Sequence, residues 1–345
     1  MTATFTVIGE NIHTTRVIRV SSPRVVDVPI PAIAFTDLEG GQRVLPIPEE
    51  ELRAQDFLEG RVKHVRCAVR LSLQGDPTGD AYLAKMAVDQ INAGASFLDV
   101  NVDEYSYKLP EQIRAMEHLV GLLLRNCAVP LSIDSSNHEI LEAGIRAASG
   151  HPAGPPMLNS ASLERIGALE LAIQAGGPVI VTAAGDSGMP TGPQERVENA
   201  SRMIDAAANK GIALNRIYVD PLMFPISVDG AFGHHVLDAI RMLRQRFGSQ
   251  IHITGGMSNV SFGLPHRRLI NDVFLVLAIE AGADSGIVDP LQTRIAQVER
   301  LDRESLGFKL ALDVLTGADR HCRAYIKAAR SGAFETPPPV STRTA

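Results

Sequence analysis

The chain has 345 residues, 45% of them hydrophobic and 21% charged, with 33 Lys and Arg against 39 Asp and Glu and a formal net charge of −6. That balance excludes a disordered or collagen-like chain. Mild acidity, no Trp and 5% aromatics argue against a nucleic-acid surface, which needs a basic stripe and stacking rings.

In chain order, short β-branched runs alternate with longer stretches of helical period. The predicted strands are Phe5 to Gly9, Ser96 to Val102, Val129 to Asp134, Pro156 to Asn159, Pro178 to Ala183, Arg216 to Asp220, Gln250 to Gly255 and Ser285 to Val288. Between them, Leu83, Met86, Ala87 and Ile91 make one apolar stripe, and Ile113, Met116, Val120 and Leu123 another. Ile140, Leu141, Gly144 and Ile145, then Val236, Leu237, Ile240 and Leu243, repeat the spacing of three and four that marks an amphipathic helix. Ser136 or Asn137, and Ser162, stand where N-caps belong. Strand and helix alternating eight times predicts an α/β fold, a (β/α)₈ TIM barrel, with a doubly wound open sheet as the alternative.

Residues 14–77 break that rhythm. RVIRVSSPRVVDVPIP reads as two short strands around a Ser-Ser-Pro turn, followed by a Pro- and Gly-punctuated stretch and the charged segment Glu49 to Arg70. The reading is one barrel over 1–335, with 14–77 inserted after the first strand at the barrel mouth and 336–345 as a disordered tail. Apolar runs such as Val273 to Ile279 are far shorter than the roughly 18 to 20 residues that cross a bilayer, so no membrane span is expected. The start of the chain lacks the pattern of a secretory signal, which points to the cytoplasm. Cys67, Cys127 and Cys322 are too scattered for a disulfide framework or a CxxC motif and read as reduced and buried.

Polar residues gather where the chemistry of such a barrel sits, at the C-terminal strand ends. Glu10 and Asn11 follow strand one, Asp99 and Asn101 end strand two, and Asp134, Ser135, Ser136 and Asn137 strand three. Asn159 and Ser160 follow at four, Asp186 after five, Asp220 at six, Ser258 and Asn259 after seven, and Asp289 at eight. No phosphate-cradling glycine loop, nucleophile elbow or HExxH pair accompanies them. Amides with carboxylates suit a flat, nitrogen-rich heterocycle, because Asp accepts two N–H bonds and Asn both donates and accepts. A pterin, a purine or a sugar satisfies that pattern. His234 and His235 are adjacent and lack a partner at helical ligand spacing, so no metal site is expected.

The segments VIGENI, FLDVNV, LSIDSSN, MLNSAS, YVDPLMFP, GGMSNVSFG and RRLINDVFLVLAIEAGADSGIVD resemble, in order, the pterin-binding barrel of the methyltetrahydrofolate:corrinoid methyltransferases. The same barrel serves as the folate module of cobalamin-dependent methionine synthase, and dihydropteroate synthase is a more distant relative. The resemblance covers Phe5 to Asn11 and about 80 to 330. It implies that Asp134, Asn159 and Asp220 hydrogen-bond the pterin ring, with Glu10, Asp99 and Asn101 as further pocket residues. It places Asn259 near folate N5, and Arg267, in the following loop, toward the glutamate-bearing side. Asn259, Asp134 and Asp220 are the implied catalytic residues.

Two departures stand out: Glu10-Asn11-Ile12-His13 replaces the frequent Glu-Arg-Ile-Asn, and Ala184-Gly185-Asp186 replaces Met-Asn-Lys. The resemblance implies a methyltransferase of one-carbon metabolism, acting between tetrahydrofolate or methyltetrahydrofolate and a corrinoid (cobalamin) in either direction. Because Asp-x-His-x-x-Gly, the cobalt-ligating motif, is absent, the corrinoid is expected from a separate protein, with residues 14–77 shaping its docking face. A homodimer is also implied. The alternatives are a dihydropteroate synthase-like pterin enzyme, against which SNVSFG and SGIVDP lack the expected basic patterns, and a non-catalytic folate-binding subunit.

Overall fold

Eight parallel strands form one sheet, β1 (Thr6–His13), β2 (Phe97–Asn101), β3 (Leu131–Asp134), β4 (Met157–Ala161), β5 (Val179–Thr182), β6 (Ile217–Asp220), β7 (His252–Ile253) and β8 (Ser285–Val288). They follow one another around the sheet in chain order, and β8 returns to pair with β1. The remaining seam is joined by the Ile287 N–H donating to Gly255 O at 2.9 Å, so the sheet is nearly closed. This computed structural model describes residues 5–27 and 29–334. The tail expected at 336–345 lies outside the described residues.

The helices on the outside are α1 (Pro77–Asn92), α2 (Leu109–Asn126), α3 (His138–Ala148), α4 (Ala168–Ala175), α5 (Pro193–Asn209), α6 (Ala231–Phe247), α7 (Arg267–Ala281) and α8 (Leu306–Leu315). Their apolar stripes face the strands: Met116, Val120, Leu123, Ile140, Ile145, Val236, Ile240 and Leu243 are all buried. Gly144 lets α3 approach closely, since a Cβ there would fall 2.5 Å from the Ile133 side chain. Asn137 caps α3, its Oδ1 accepting from Glu139 N and Ile140 N. Ser162 does not cap a helix: it accepts from Arg165 N within a turn, and α4 starts only after Gly167. Cys67, Cys127 and Cys322 are buried thiols, and burial pushes their pKa values up.

Inside the barrel, Ile8, Met157, Ile180, Tyr218 and Ile287 pack together, with Phe97 against them, as a floor under the mouth. Side chains in a strand return to the same face every second residue. Phe97 is therefore followed by Asp99, Met157 by Asn159, Tyr218 by Asp220 and Ile287 by Asp289, each floor residue lifting a polar one to the mouth.

Strand β1 departs from expectation. It continues past Gly9 to His13, with a register shift between Gly9 and Ile12 that inserts one extra residue against β2. Such a bulge re-aims the side chains that follow, and His13 joins the strand end.

The Ser-Ser-Pro turn does not join a hairpin. Ile18–Arg19 pairs with Arg61–Val62, whereas Val25–Asp27 pairs with Pro31–Thr36, which in turn pairs with Gln42–Pro46. Short helices Glu49–Leu52 and Gln55–Leu58 and a longer one, His64–Leu73, complete the region between β1 and α1. Proline at 46 and 48 and the Gly40-Gly41 turn, with φ of 85° at Gly40, mask two strands that periodicity alone did not resolve. Among the described residues no helix is long and apolar enough to cross a membrane.

Candidate functional site

The mouth holds a polar network built from four strand ends. Asp99, fully buried on β2, accepts from Asn159 Nδ2 on β4 at 3.1 Å and bonds His13 Nε2 on β1 at 2.8 Å. Beside it, Asn101 Nδ2 donates to Asp134 Oδ2 on β3 at 2.8 Å. Burial, then the neighbouring Asp99 charge, lifts the Asp134 pKa far above the usual carboxylate range. Burial opposes an imidazolium at His13, but the bond to Asp99 and the charges of Asp99, Asp134 and Glu10 outweigh it and raise its pKa.

Asp220 ends β6. Its Oδ1 accepts from Leu222 N at 2.7 Å, holding Leu222 at a φ of 67°, a left-handed conformation uncommon for a residue with a side chain. Burial pushes the Asp220 pKa up to about 6, against the opposing pull of the Leu222 N–H and of the Arg196 charge. Arg196, on α5, is fully buried and donates to the carbonyls of Pro221 and Leu222, with its guanidinium 4.6 Å from the Phe224 ring centre. Burial brings its pKa down to about 10.

Asn259 lies on the 3₁₀ turn Met257–Ser261 that follows β7. It is exposed, and its side-chain amide has no hydrogen-bond partner among the described residues. The preceding glycine pair makes room at the site. A Cβ on Gly255, where φ is 145°, would fall 2.6 Å from Asp220 Oδ1, and one on Gly256 would fall 2.7 Å from Asn259 Nδ2. Arg267 opens α7 rather than sitting in a loop. Its guanidinium reaches back to Ser258 O at 2.8 Å and Ser261 Oγ at 3.0 Å, bracing the turn that carries Asn259. It also stacks over Phe262 at 4.1 Å, and burial lowers its pKa.

Other expected mouth residues stand apart from the network. The bulge turns Glu10 toward Arg16 Nη2 at 2.9 Å and Ser258 Oγ at 3.3 Å, in a cavity of 150 Å³ that Arg267 and Asp289 also line. Asn11 bonds Asp289 at 2.7 Å. Ser135 and Ser136 donate to Asp103, tying the loop after β3 to that after β2. Asp186 does not face the mouth: it is exposed and pairs with Arg202 on α5 at 2.8 Å, because the turn after Ala183 runs outward to meet that helix.

The residues that sequence reasoning missed are His13 and Arg196. Three polar residues within four, Glu10, Asn11 and His13, hinted that β1 runs on. Arg196 lies 25 residues before the loop it holds and left no local trace.

His13, Asp99 and Asp134 place one ligand atom each within 4.8 Å of one another, a grouping contributed by three strands and invisible to helical spacing. Asp99 already bonds His13 and Asn159, and Asp134 already accepts from Asn101. As it stands, the trio serves hydrogen bonding to N–H groups. Together the mouth offers carboxylate acceptors over an apolar floor, and at the rim an amide free to donate or accept.

Residues 79–289 match the model of a family described as pterin binding enzyme. The chain is 30% identical over 259 residues to a methylcorrinoid:tetrahydrofolate methyltransferase of Eubacterium limosum, covering 73% of this chain and 89% of that protein. It is 31% identical over 245 residues to a methionine synthase of Mycobacterium leprae, covering 67% of this chain but spanning only 19% of that protein's length. Among solved structures, a dihydropteroate synthase of Xanthomonas albilineans superposes with a TM-score of 0.53 at 21% identity, over 65% of this chain and 84% of that one. That last likeness is one of fold.

Proposed function

The chain belongs to the pterin-binding enzyme family, and on that premise we propose that it moves a methyl group between N5 of tetrahydrofolate and the cobalt of a corrinoid. The relative from Eubacterium limosum, matched over 89% of its length, supports the pair of substrates. The observation that carries the reading is the donor-and-acceptor set of the buried Asp99, Asn101 and Asn159 with the half-buried Asp134 and Asp220, and the unpartnered Asn259 amide at its rim.

Forming the N5–methyl bond releases the N5 proton, and the reverse reaction needs that proton restored, because an amine leaves poorly without it. Asn259 holds the N5 proton in the transition state through its amide oxygen, where a preorganised dipole acts strongly. Asp134 and Asp220 accept ring N–H bonds and fix the plane of the pterin. Asp99 positions Asn159, and Arg267 positions the turn bearing Asn259.

Glu10 and Arg267 lie toward the tail of the folate. A separate corrinoid protein docks over the mouth, with residues 14–77 as the inserted segment that shapes its landing face. The buried free thiols support a reducing compartment such as the cytoplasm, and a homodimer rests on the family resemblance.

Single-turnover mixing of the protein with methylcobalamin and tetrahydrofolate, followed by the cobalt absorbance, tests the activity. Demethylation of the cobalt with formation of methyltetrahydrofolate is the expected result. Folate binding with no transfer would make the protein a non-catalytic folate-binding subunit, and condensation of a pterin pyrophosphate with p-aminobenzoate would make it a synthase.

A further inference from the structure

His13 is a titratable group of the mouth that recognition of the ring leaves unused. The bulge in β1 brings it to the strand end, where its Nε2 meets the Asp99 carboxylate at 2.8 Å. A carboxylate only accepts, so Nε2 carries the proton of that bond. Asp99 is fully buried and also accepts from Asn159, and it thereby fixes the imidazole in one tautomer and one orientation. The other ring nitrogen, Nδ1, has no hydrogen-bond partner among the described residues, and the side chain keeps 17% of its surface open.

The proposed reaction moves a proton as well as a carbon. When N5 attacks the methyl group, the cobalt–carbon bond breaks with its electron pair left on cobalt, and N5 becomes a cation holding both the methyl group and its proton. A base must then take that proton, and in reverse an acid must return it before the amine can leave.

The other polar groups of the mouth are poorly suited to this step. Asn259 can accept a hydrogen bond from the proton, but a neutral amide is too weak a base to keep it. Asp134 accepts from Asn101 and Asp220 from Leu222 N, and in the folate reading both also meet ring N–H groups. Glu10 is paired with Arg16. The charged groups facing His13 are Asp99 on β2, Asp134 on β3 and Glu10 on its own strand. Burial disfavours an imidazolium there, but the bond to Asp99 and these three negative charges more than offset it, so the ring can hold a proton once it has one.

We infer, on the methyl-transfer reading of the mouth, that His13 is the proton carrier of the reaction: its Nδ1 takes the N5 proton after the N5–methyl bond forms and, as imidazolium, returns it when that bond breaks. Asp99 acts through His13 as a positioning residue.

The direction that consumes the proton tests this. Single-turnover transfer from methyltetrahydrofolate to cob(I)alamin, prepared by reduction without oxygen, is followed by the cobalt absorbance from pH 5 to pH 9. In the unaltered protein the rate should be level at low pH and fall as pH rises through a midpoint above 6.5, the ordinary histidine value. His13→Asn keeps an N–H for Asp99 but loses the titrating ring. It should slow transfer at pH 7 by about a hundredfold and abolish the level region, while the calorimetric dissociation constant for methyltetrahydrofolate stays within about twofold. An unchanged rate, a pH midpoint that persists in the variant, or equal losses of rate and affinity would overturn the inference alone. No transfer by the unaltered protein would overturn the methyl-transfer reading and the inference with it.

Discussion

Carboxylates at the barrel mouth and carboxylates in the segment between β1 and α1 are held in opposite ways. At the mouth, Asp134 and Asp220 are half-buried with amide or backbone partners, and their desolvation raises both pKa values. In the intervening segment, Asp37 is hydrogen-bonded by Arg43 and Asp56 by Lys63, and both pKa values are held below the ordinary range. A carboxylate stabilised by a cation is already satisfied and serves the fold. One buried without a cation at bonding distance costs stability, and the cost is recovered when a ligand brings N–H donors. The difference separates groups that await a ligand from groups that hold the scaffold, and substitutions can test it.

The largest effect should come from the rim. Asn259→Ala should lower the single-turnover rate by about a hundredfold or more, the usual scale for losing one preorganised donor or acceptor to the reacting atoms, while the folate dissociation constant moves far less. Equal losses in rate and affinity would remove Asn259 from the transition state.

Asp134→Asn should weaken folate binding by about ten- to a hundredfold, since a charged acceptor bond contributes roughly 1.5 to 3 kcal/mol. Its check is the calorimetric dissociation constant. An unchanged value would place Asp134 with the scaffold carboxylates.

Asp220→Asn should do something that no scaffold carboxylate does: stabilise the ligand-free protein at pH 7 while weakening folate binding. A pKa raised above the ordinary value favours the folded state below that value, and the benefit is lost as pH climbs from 3.8 through about 6. That displacement corresponds to roughly 3 kcal/mol, of which about 1 to 2 should appear because the residue keeps some contact with solvent. Denaturant melts at pH 5 and pH 7 would show the variant gaining at both, by about half as much at pH 5 as at pH 7.

The smallest effect belongs to the exposed Arg53 and Glu49 pair of the intervening segment. Arg53→Ala should alter stability by less than about 0.5 kcal/mol and leave folate affinity unchanged, as read by the same melts and titrations.

What could be read from the sequence follows the same division. The barrel was legible because a parallel strand buried on both faces is written as a short β-branched run, as in Val179–Thr182, and its helices as one-sided stripes. Polar residues at strand ends were legible because alternation lifts one residue above each floor residue, as in Met157 and Asn159. The bulge in β1 was not, since it is a mismatch against β2 and has no signature within β1 itself. For that reason Glu10 was expected beside the ring and His13 only as a departure from a motif. Arg196 was hidden because its partners are the carbonyls of Pro221 and Leu222, which any sequence provides. The strands Pro31–Thr36 and Gln42–Pro46 were obscured by the prolines at their ends.

Proton linkage on folate binding addresses the central contrast most directly. Calorimetric titration with tetrahydrofolate near pH 6, in two buffers of different ionisation enthalpy, reports how many protons are released or taken up. If Asp134 and Asp220 receive N–H donors from the ring, their pKa values fall on binding, so protons are released near pH 6 and the release disappears in the Asp134→Asn, Asp220→Asn double variant. Tight binding with no net proton release, or release that survives the double substitution, would contradict the account.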